Sequence, residues 1–177
     1  MHSPLNPTTF IIIYISHLFH TDVKIQPEEF MKFDDILMLV GGTGVTPMIQ
    51  ALHAILGSNE KKPVVTMLYG SKVSDDILGN EVLSKWAADH PEQFKLTNVL
   101  SHEPADSDWT GARGYIDKEL ITKSGFPPAT AADKKTMVFV CGPPPMYDAL
   151  CGPREEKDKI SGLLGEMGYS PDQVYKF

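Results

Sequence analysis

Cysteine is scarce in this chain: two residues in 177, Cys141 and Cys151. Two thiols exclude a disulfide framework and a four-cysteine zinc site. Basic residues are outnumbered, 16 Lys and Arg against 23 Asp and Glu, for a net charge of −7. A general nucleic-acid binder needs a basic face, so that class is excluded. Long hydrophobic runs are missing too. The longest is FIIIYISHLF at residues 10–19. Its roughly ten residues fall short of the ~20 that span a bilayer. It has no basic n-region and no small-residue cleavage site, so it is a poor signal peptide. Ile and Tyr favour strands, and the run reads as a buried strand rather than the remnant of a membrane anchor. No convincing membrane span is found elsewhere. Six histidines show no H-x-x-x-H spacing, so no metal site is expected. No G-x-S-x-G marks a serine hydrolase, and no repeat of solenoid period occurs.

What remains is an ordinary soluble composition, 42% hydrophobic and 22% charged. A chain of this length can bury about 70% of its unfolded surface and needs no staples. Apolar runs alternate with helical patterns. ILMLV at 36–40 is stopped by Gly41-Gly42, as in a strand buried on both faces. Thr46 and Pro47 then open a helix, Thr as N-cap and Pro at the first position, with Met48, Ala51, Leu52, Ile55 and Leu56 inward and Gly57 at its end. Further strands are expected at 64–69, 95–100, 136–141 and 174–177. Helices are expected at 74–88, within 114–123, after the prolines through Leu150, and at 155–167. Residues 27–35 form a polar connector, and 101–111 and 125–135 are long loops. The alternation predicts an α/β fold, a doubly wound five-stranded parallel sheet.

In such sheets ligands bind at the carboxyl ends of the strands, where the strand order reverses. If the first strand neighbours the fourth, GGTGVTPM (41–48) meets CGPPPM (141–146) there. Glycine lets the backbone approach a ligand, and the helix that follows turns its free N–H groups and dipole toward the loop. Thr43 and Thr46 add hydroxyls. A pyrophosphate is the natural guest, although a glycine-rich turn can also be a plain strand-to-helix turn. The loop is neither G-x-G-x-x-G, since Pro47 replaces the third glycine, nor a Walker A loop. CGPPPM fixes φ at three prolines, giving a stiff loop held away from ordinary helix geometry and suited to positioning a planar ring. Cys141 and Met146 also read as packing residues. Asp75 and Asp76 follow the second strand, where an acid often holds a ribose hydroxyl; both also suit a helix N-terminus. Trp86 and Trp109 read as packing residues. Lys61, Lys62, Lys134 and Lys135 read as solvated charges.

GGTGVTPM, SDDIL at 74–78, GYID at 114–117, VFVCGPPPM at 138–146 and the closing SGLLGEMGYSPDQVYKF at 161–177 occur in order. Together they resemble the NADH-binding half of NADH-cytochrome b5 reductase, in the ferredoxin-NADP reductase superfamily. The resemblance covers about 36–177, and its closing segment is similar to the fungal, plant and algal forms. It implies a ferredoxin-reductase-like NAD-binding domain at 36–177. Gly41, Gly42, Thr43, Gly44 and Thr46, with Pro47 and Met48, would hold the NADH phosphates. Asp76 would face the adenosine ribose and favour NADH, with Lys72 nearby weakening that preference. Cys141, Gly142, Pro143, Pro144 and Met146 would lie beside the nicotinamide. Cys141 is the residue assigned to catalysis, placing the ring rather than attacking as a nucleophile. Phe177 would lie toward the flavin.

The family's FAD-binding signature R-x-Y-[ST]-x-x-[ST] is absent. Residues 1–35 are atypical, with 23–26 read as a remnant of the end of an FAD-binding domain. The cofactors implied are NADH, and FAD in the complete enzyme. The reaction implied is hydride transfer to FAD and onward electron transfer to a haem protein such as cytochrome b5. The alternatives are a non-catalytic NADH-binding module left by truncation, or a fragment of a nitrate-reductase-type flavoprotein. The location implied is cytoplasmic, or the cytosolic face of the endoplasmic reticulum or outer mitochondrial membrane.

Overall fold

Residues 27–58, 63–128 and 135–177 are described by the structure, a computed structural model. The run at 10–19, the 23–26 stretch, and Lys61, Lys62 and Lys134 lie outside them. The apolar run after Asp35 forms β1 (Asp35–Gly41), and every side chain from Ile36 to Val40 is fully excluded from solvent. Strands β2 (Val64–Ser71), β3 (Phe94–Leu100), β4 (Ala112–Arg113), β5 (Thr136–Cys141) and β6 (Val174–Lys176) join it in one sheet. All pairs are parallel, in the order β4-β3-β2-β1-β5-β6. A strand covered on both faces has no polar side to alternate, which explains the unbroken apolar run.

Among the described residues six helices complete the fold: α1 (Pro27–Phe30), α2 (Val45–Leu56), α3 (Asn80–Asp89), α4 (Lys118–Lys123), α5 (Pro144–Leu150) and α6 (Gly162–Glu166). The period of two along the strands sorts their side chains into two cores. Ile36, Met38, Val40, Met67 and Phe139 meet Met48, Leu52 and Ile55 of α2 and Leu83 of α3. Leu37, Leu39, Leu68 and Val140 meet Ile121 of α4, Leu150 of α5 and Leu164 of α6. Each such side chain contributes roughly 1.5–3 kcal/mol on burial. Strand order reverses between β1 and β5, and register sets Val40 beside Cys141. The loops that follow these strands therefore emerge side by side.

Several local expectations need correction. The sheet has six strands rather than five. The extra β4 is two residues long, too short to show a period, and pairs with Val99 and Leu100. Thr46 does not cap α2: a 3-10 turn (Gly42–Gly44) leads into the helix, with Gly44 at the N-cap and no side-chain cap. Pro47 is the third residue of α2, still within the first turn, where its missing N–H has no intrahelical partner to lose. The helix expected at 74–88 is split into a 3-10 turn (Ser74–Asp76) and α3, with Gly79 between them at φ +67. Nor are the prolines held away from helix geometry. Pro144 and Pro145 open α5, because orphan first-turn positions tolerate a missing donor.

Of the helix expected at 155–167 only α6 forms. The preceding loop is held instead by Lys176, whose Nζ donates to the Pro153, Glu156 and Lys159 carbonyls at 2.9–3.0 Å. The connector carries α1, and its Phe30 ring packs edge-on against Phe139 at 5.7 Å. Trp86 and Trp109 pack against the core as expected. No helix among the described residues is long and apolar enough to cross a membrane.

Candidate functional site

The two unusual loops are interlocked. A Cβ placed on Gly44 would fall on the Cys141 carbonyl oxygen, 2.6 Å from its carbon and 2.9 Å from the Gly142 nitrogen. One on Gly41 would lie 2.6 Å from Met146 Sδ and 3.0 Å from Pro143 Cδ. One on Gly142 would lie 2.5 Å from the same sulfur. Gly44 is thus required by the main chain of the facing loop, whereas Gly41 and Gly142 chiefly meet the flexible Met146 side chain. Gly42 is different. It adopts φ +51, and a Cβ there would meet nothing within 4 Å. Of the four glycines in these two loops, Gly42 alone faces open space, and glycine takes that backbone conformation without strain. Thr43 and Thr46 are exposed beside it, whereas Met48 is fully buried in the core under α2. The first turn of α2 has no acidic residue to oppose an anion.

A side chain that the sequence reading passed over supports this loop. Tyr69, fully buried near the end of β2, donates its hydroxyl to the Gly42 carbonyl at 3.0 Å. The same oxygen accepts from the Leu78 amide at 3.2 Å. Burial raises the phenol pKa, and the Leu78 bond lowers it only in part, so it stays neutral. Leu78 ends the segment carrying Asp75 and Asp76, both exposed. The start of that segment is anchored by Glu103, which accepts from Ser74 N at 2.7 Å and Ser74 Oγ at 3.1 Å. These bonds, the Ser74 amide first, hold the Glu103 carboxyl below its usual range. Arg113 in turn donates to the carbonyls of Glu103, Pro104 and Trp109, which fixes the 101–111 loop. Tyr69, Glu103 and Arg113 left no local signal, because each acts on a main-chain group remote in sequence.

Cys141 ends β5 half-buried. Burial pushes its thiol pKa up, and the neighbouring Tyr147 hydroxyl and Arg154 charge offset this only in part. At neutral pH it is a thiol rather than a thiolate, unlike a nucleophilic cysteine. Cys151 is fully buried, its pKa pushed up to about 11 by burial. Tyr147, kept protonated chiefly by burial, donates to the Phe177 main-chain oxygen at 2.7 Å. Phe177 is itself buried. Its ring lies 5.4 Å from Phe139 and 4.8 Å from Tyr175, and its amide bonds the Val140 carbonyl. Pro143, Pro144 and Pro145 are exposed. Among the described residues no cluster of His, Cys, Asp or Glu could hold a metal.

A parallel sheet with paired loops at its switch point defines a nucleotide-binding α/β domain. The chain belongs to the oxidoreductase NAD-binding domain family, whose model matches residues 38–152. It is 41% identical over 154 residues to NADH-cytochrome b5 reductase 2 of Aspergillus clavatus, covering 85% of this chain and 46% of that protein. It is 40% identical over 149 residues to NADH-cytochrome b5 reductase 2 of Scheffersomyces stipitis, covering 82% and 48%. The chain therefore spans about half the length of these curated relatives. Among solved structures it resembles the cytochrome b5 reductase domain of Ulva prolifera nitrate reductase. There the identity is 27% and the TM-score 0.67, covering 82% of this chain and 50% of that one. The fold also matches the CS-b5R domains of human Ncb5or in the NAD+ form, at 24% identity and TM-score 0.69, covering 87% and 39%.

Proposed function

We propose that this chain is the NADH-binding half of a cytochrome b5 reductase-type oxidoreductase, presenting the nicotinamide to FAD for onward electron transfer to a haem protein. The observation that carries this reading is the interlocking of the two loops through Gly44 and Cys141 at the sheet's switch point. The identity near 40% to b5 reductases, against 27% to the nitrate reductase domain, favours the first parent over the second. Cytochrome b5 as acceptor, and a site on the cytosolic face of a membrane, belong to the same proposal.

The residues fit a dinucleotide. Gly42 leaves open space where any side chain would project, beside exposed Thr43 and Thr46 at the start of a 12-residue helix. These groups, with Gly41 and Gly44, would hold the pyrophosphate. Asp76 would meet the adenosine ribose, where its carboxylate repels a 2′-phosphate. Pro47 and Met48 would act from beneath, shaping the helix start rather than touching ligand. Cys141, Gly142, Pro143, Pro144 and Met146 would wall the nicotinamide, with Phe177 closing the sheet behind them. Bound NADH supplies a hydride, and that chemistry is the cofactor's own. The chain's part is orientation, since reacting atoms must come within about 3–3.5 Å. Neither Cys141 nor Tyr147 is poised to lose a proton, so both serve as neutral surface and scaffold.

Titration of the chain with NADH, followed by calorimetry, tests binding; NADH-dependent ferricyanide reduction with added FAD tests turnover. Binding with turnover supports the full reading. Binding without turnover leaves a nucleotide module and refutes catalysis by this chain alone. Absence of binding refutes the site.

A further inference from the structure

The Tyr69 hydroxyl is a single buried oxygen bonded to two turns that are distant in sequence. It gives its proton to the carbonyl of Gly42 and takes the amide proton of Leu78. Each partner belongs to a turn that also uses a left-handed glycine: Gly42 itself at φ +51, and Gly79, next to Leu78, at φ +67. Such turns have few ways to satisfy their peptide groups with regular structure, so a side chain takes that place. The ring cannot move independently. It sits at 0% exposure in a strand paired on both sides, opposite Val40 and Asn98. The oxygen is therefore a fixed post to which both turns are tied. One turn opens the glycine loop. The other carries Asp75 and Asp76, and its far end is independently fixed by Glu103. Leu78 itself is 46% exposed, so the packing of its side chain does little to hold this end in place.

We propose that Tyr69 is a positioning residue that sets the separation of the Gly42–Gly44 turn from the Ser74–Leu78 segment, and so governs affinity for ligands that bridge both, namely nucleoside diphosphates of the ADP-ribose class. This rests on the NADH-binding reading above. A ligand with its pyrophosphate on one turn and its ribose on the other gains from both contacts only when their spacing is fixed beforehand. Without the tie, the second contact must order a loose segment. Discrimination at the ribose then suffers together with affinity, because Asp76 is carried by the released segment.

The test is Tyr69→Phe, which keeps the ring and removes both bonds. Affinities for NADH, NADPH and ADP-ribose are measured by calorimetry well below the melting temperature. Weakening of NADH and ADP-ribose by about tenfold, with a smaller NADH-to-NADPH preference, is the expected result. A purely structural hydroxyl would lower the melting temperature and leave both the affinities and the preference unchanged; that outcome overturns the proposal. Should the variant not fold, amide exchange of Leu78 in the unsubstituted chain decides: protection matching the β2 core supports the tie, and exchange at the free-peptide rate overturns it. An unsubstituted chain that binds neither NADH nor ADP-ribose refutes the underlying NADH-binding reading instead.

Discussion

The Cβ that Gly44 lacks would collide with the main chain of the facing loop. A glycine-rich turn after a strand suggests close approach by a phosphate, yet Gly44 is first required by the main chain of Cys141 and Gly142. Main chain cannot swing aside as a flexible side chain can. Gly44→Ala is accordingly expected to cost at least the ~1–3 kcal/mol typical of overpacking, and to weaken NADH binding by parting the loops. Urea unfolding measures the first effect and calorimetry the second. An unchanged midpoint would show that the loops do not touch as described. GGTG and CGPPPM were legible because runs of glycine and proline are rare and act locally. Tyr69 and Tyr147 were not, since an aromatic in an apolar stretch reads as core. Only their hydroxyl partners, Gly42, Leu78 and Phe177, show the second role.

The long apolar elements were the most legible. The five strands expected all form within two residues of their read bounds, and α2 follows its apolar face. The shorter pieces were not, because their stability comes from remote groups. Lys176 donates to three carbonyls of the loop before α6, a segment whose composition alone suggested helix. The 3-10 turn at Ser74–Asp76 depends likewise on Glu103.

That dependence has a pH signature. The folded pKa of Glu103 lies below its ordinary 4.5. Its stabilisation is therefore fully present above the unfolded value and is lost as pH falls through the folded one. Glu103→Gln keeps an acceptor oxygen and removes the charge. The gap in melting temperature between the parent chain and this variant should stay constant above about pH 5, then close in more acidic solution. A gap that persists at low pH would mean that the carboxylate's charge does not hold the turn.

On the scale of the whole molecule, the proposed ligand would bridge parts that the fold keeps apart. The glycine loop leads into α2, whose side chains belong to one core, and the proline loop leads into α5, whose side chains belong largely to the other. The two cores share the central strands, but their helices lie on opposite faces of the sheet. A dinucleotide across the seam binds only when both layers are in place, so it binds the folded chain and not the unfolded one. Saturation at about 100 times Kd then adds about 2.7 kcal/mol. For a domain of this size each kcal/mol moves the melting temperature by about 2–4 °C, so NADH should raise it by roughly 5–11 °C. Free nicotinamide, which on this proposal would reach only the proline loop, should leave it nearly unchanged, and Gly44→Ala should blunt the response to NADH. An equal shift from nicotinamide would place the whole binding energy on one loop, and the seam would then not be the site.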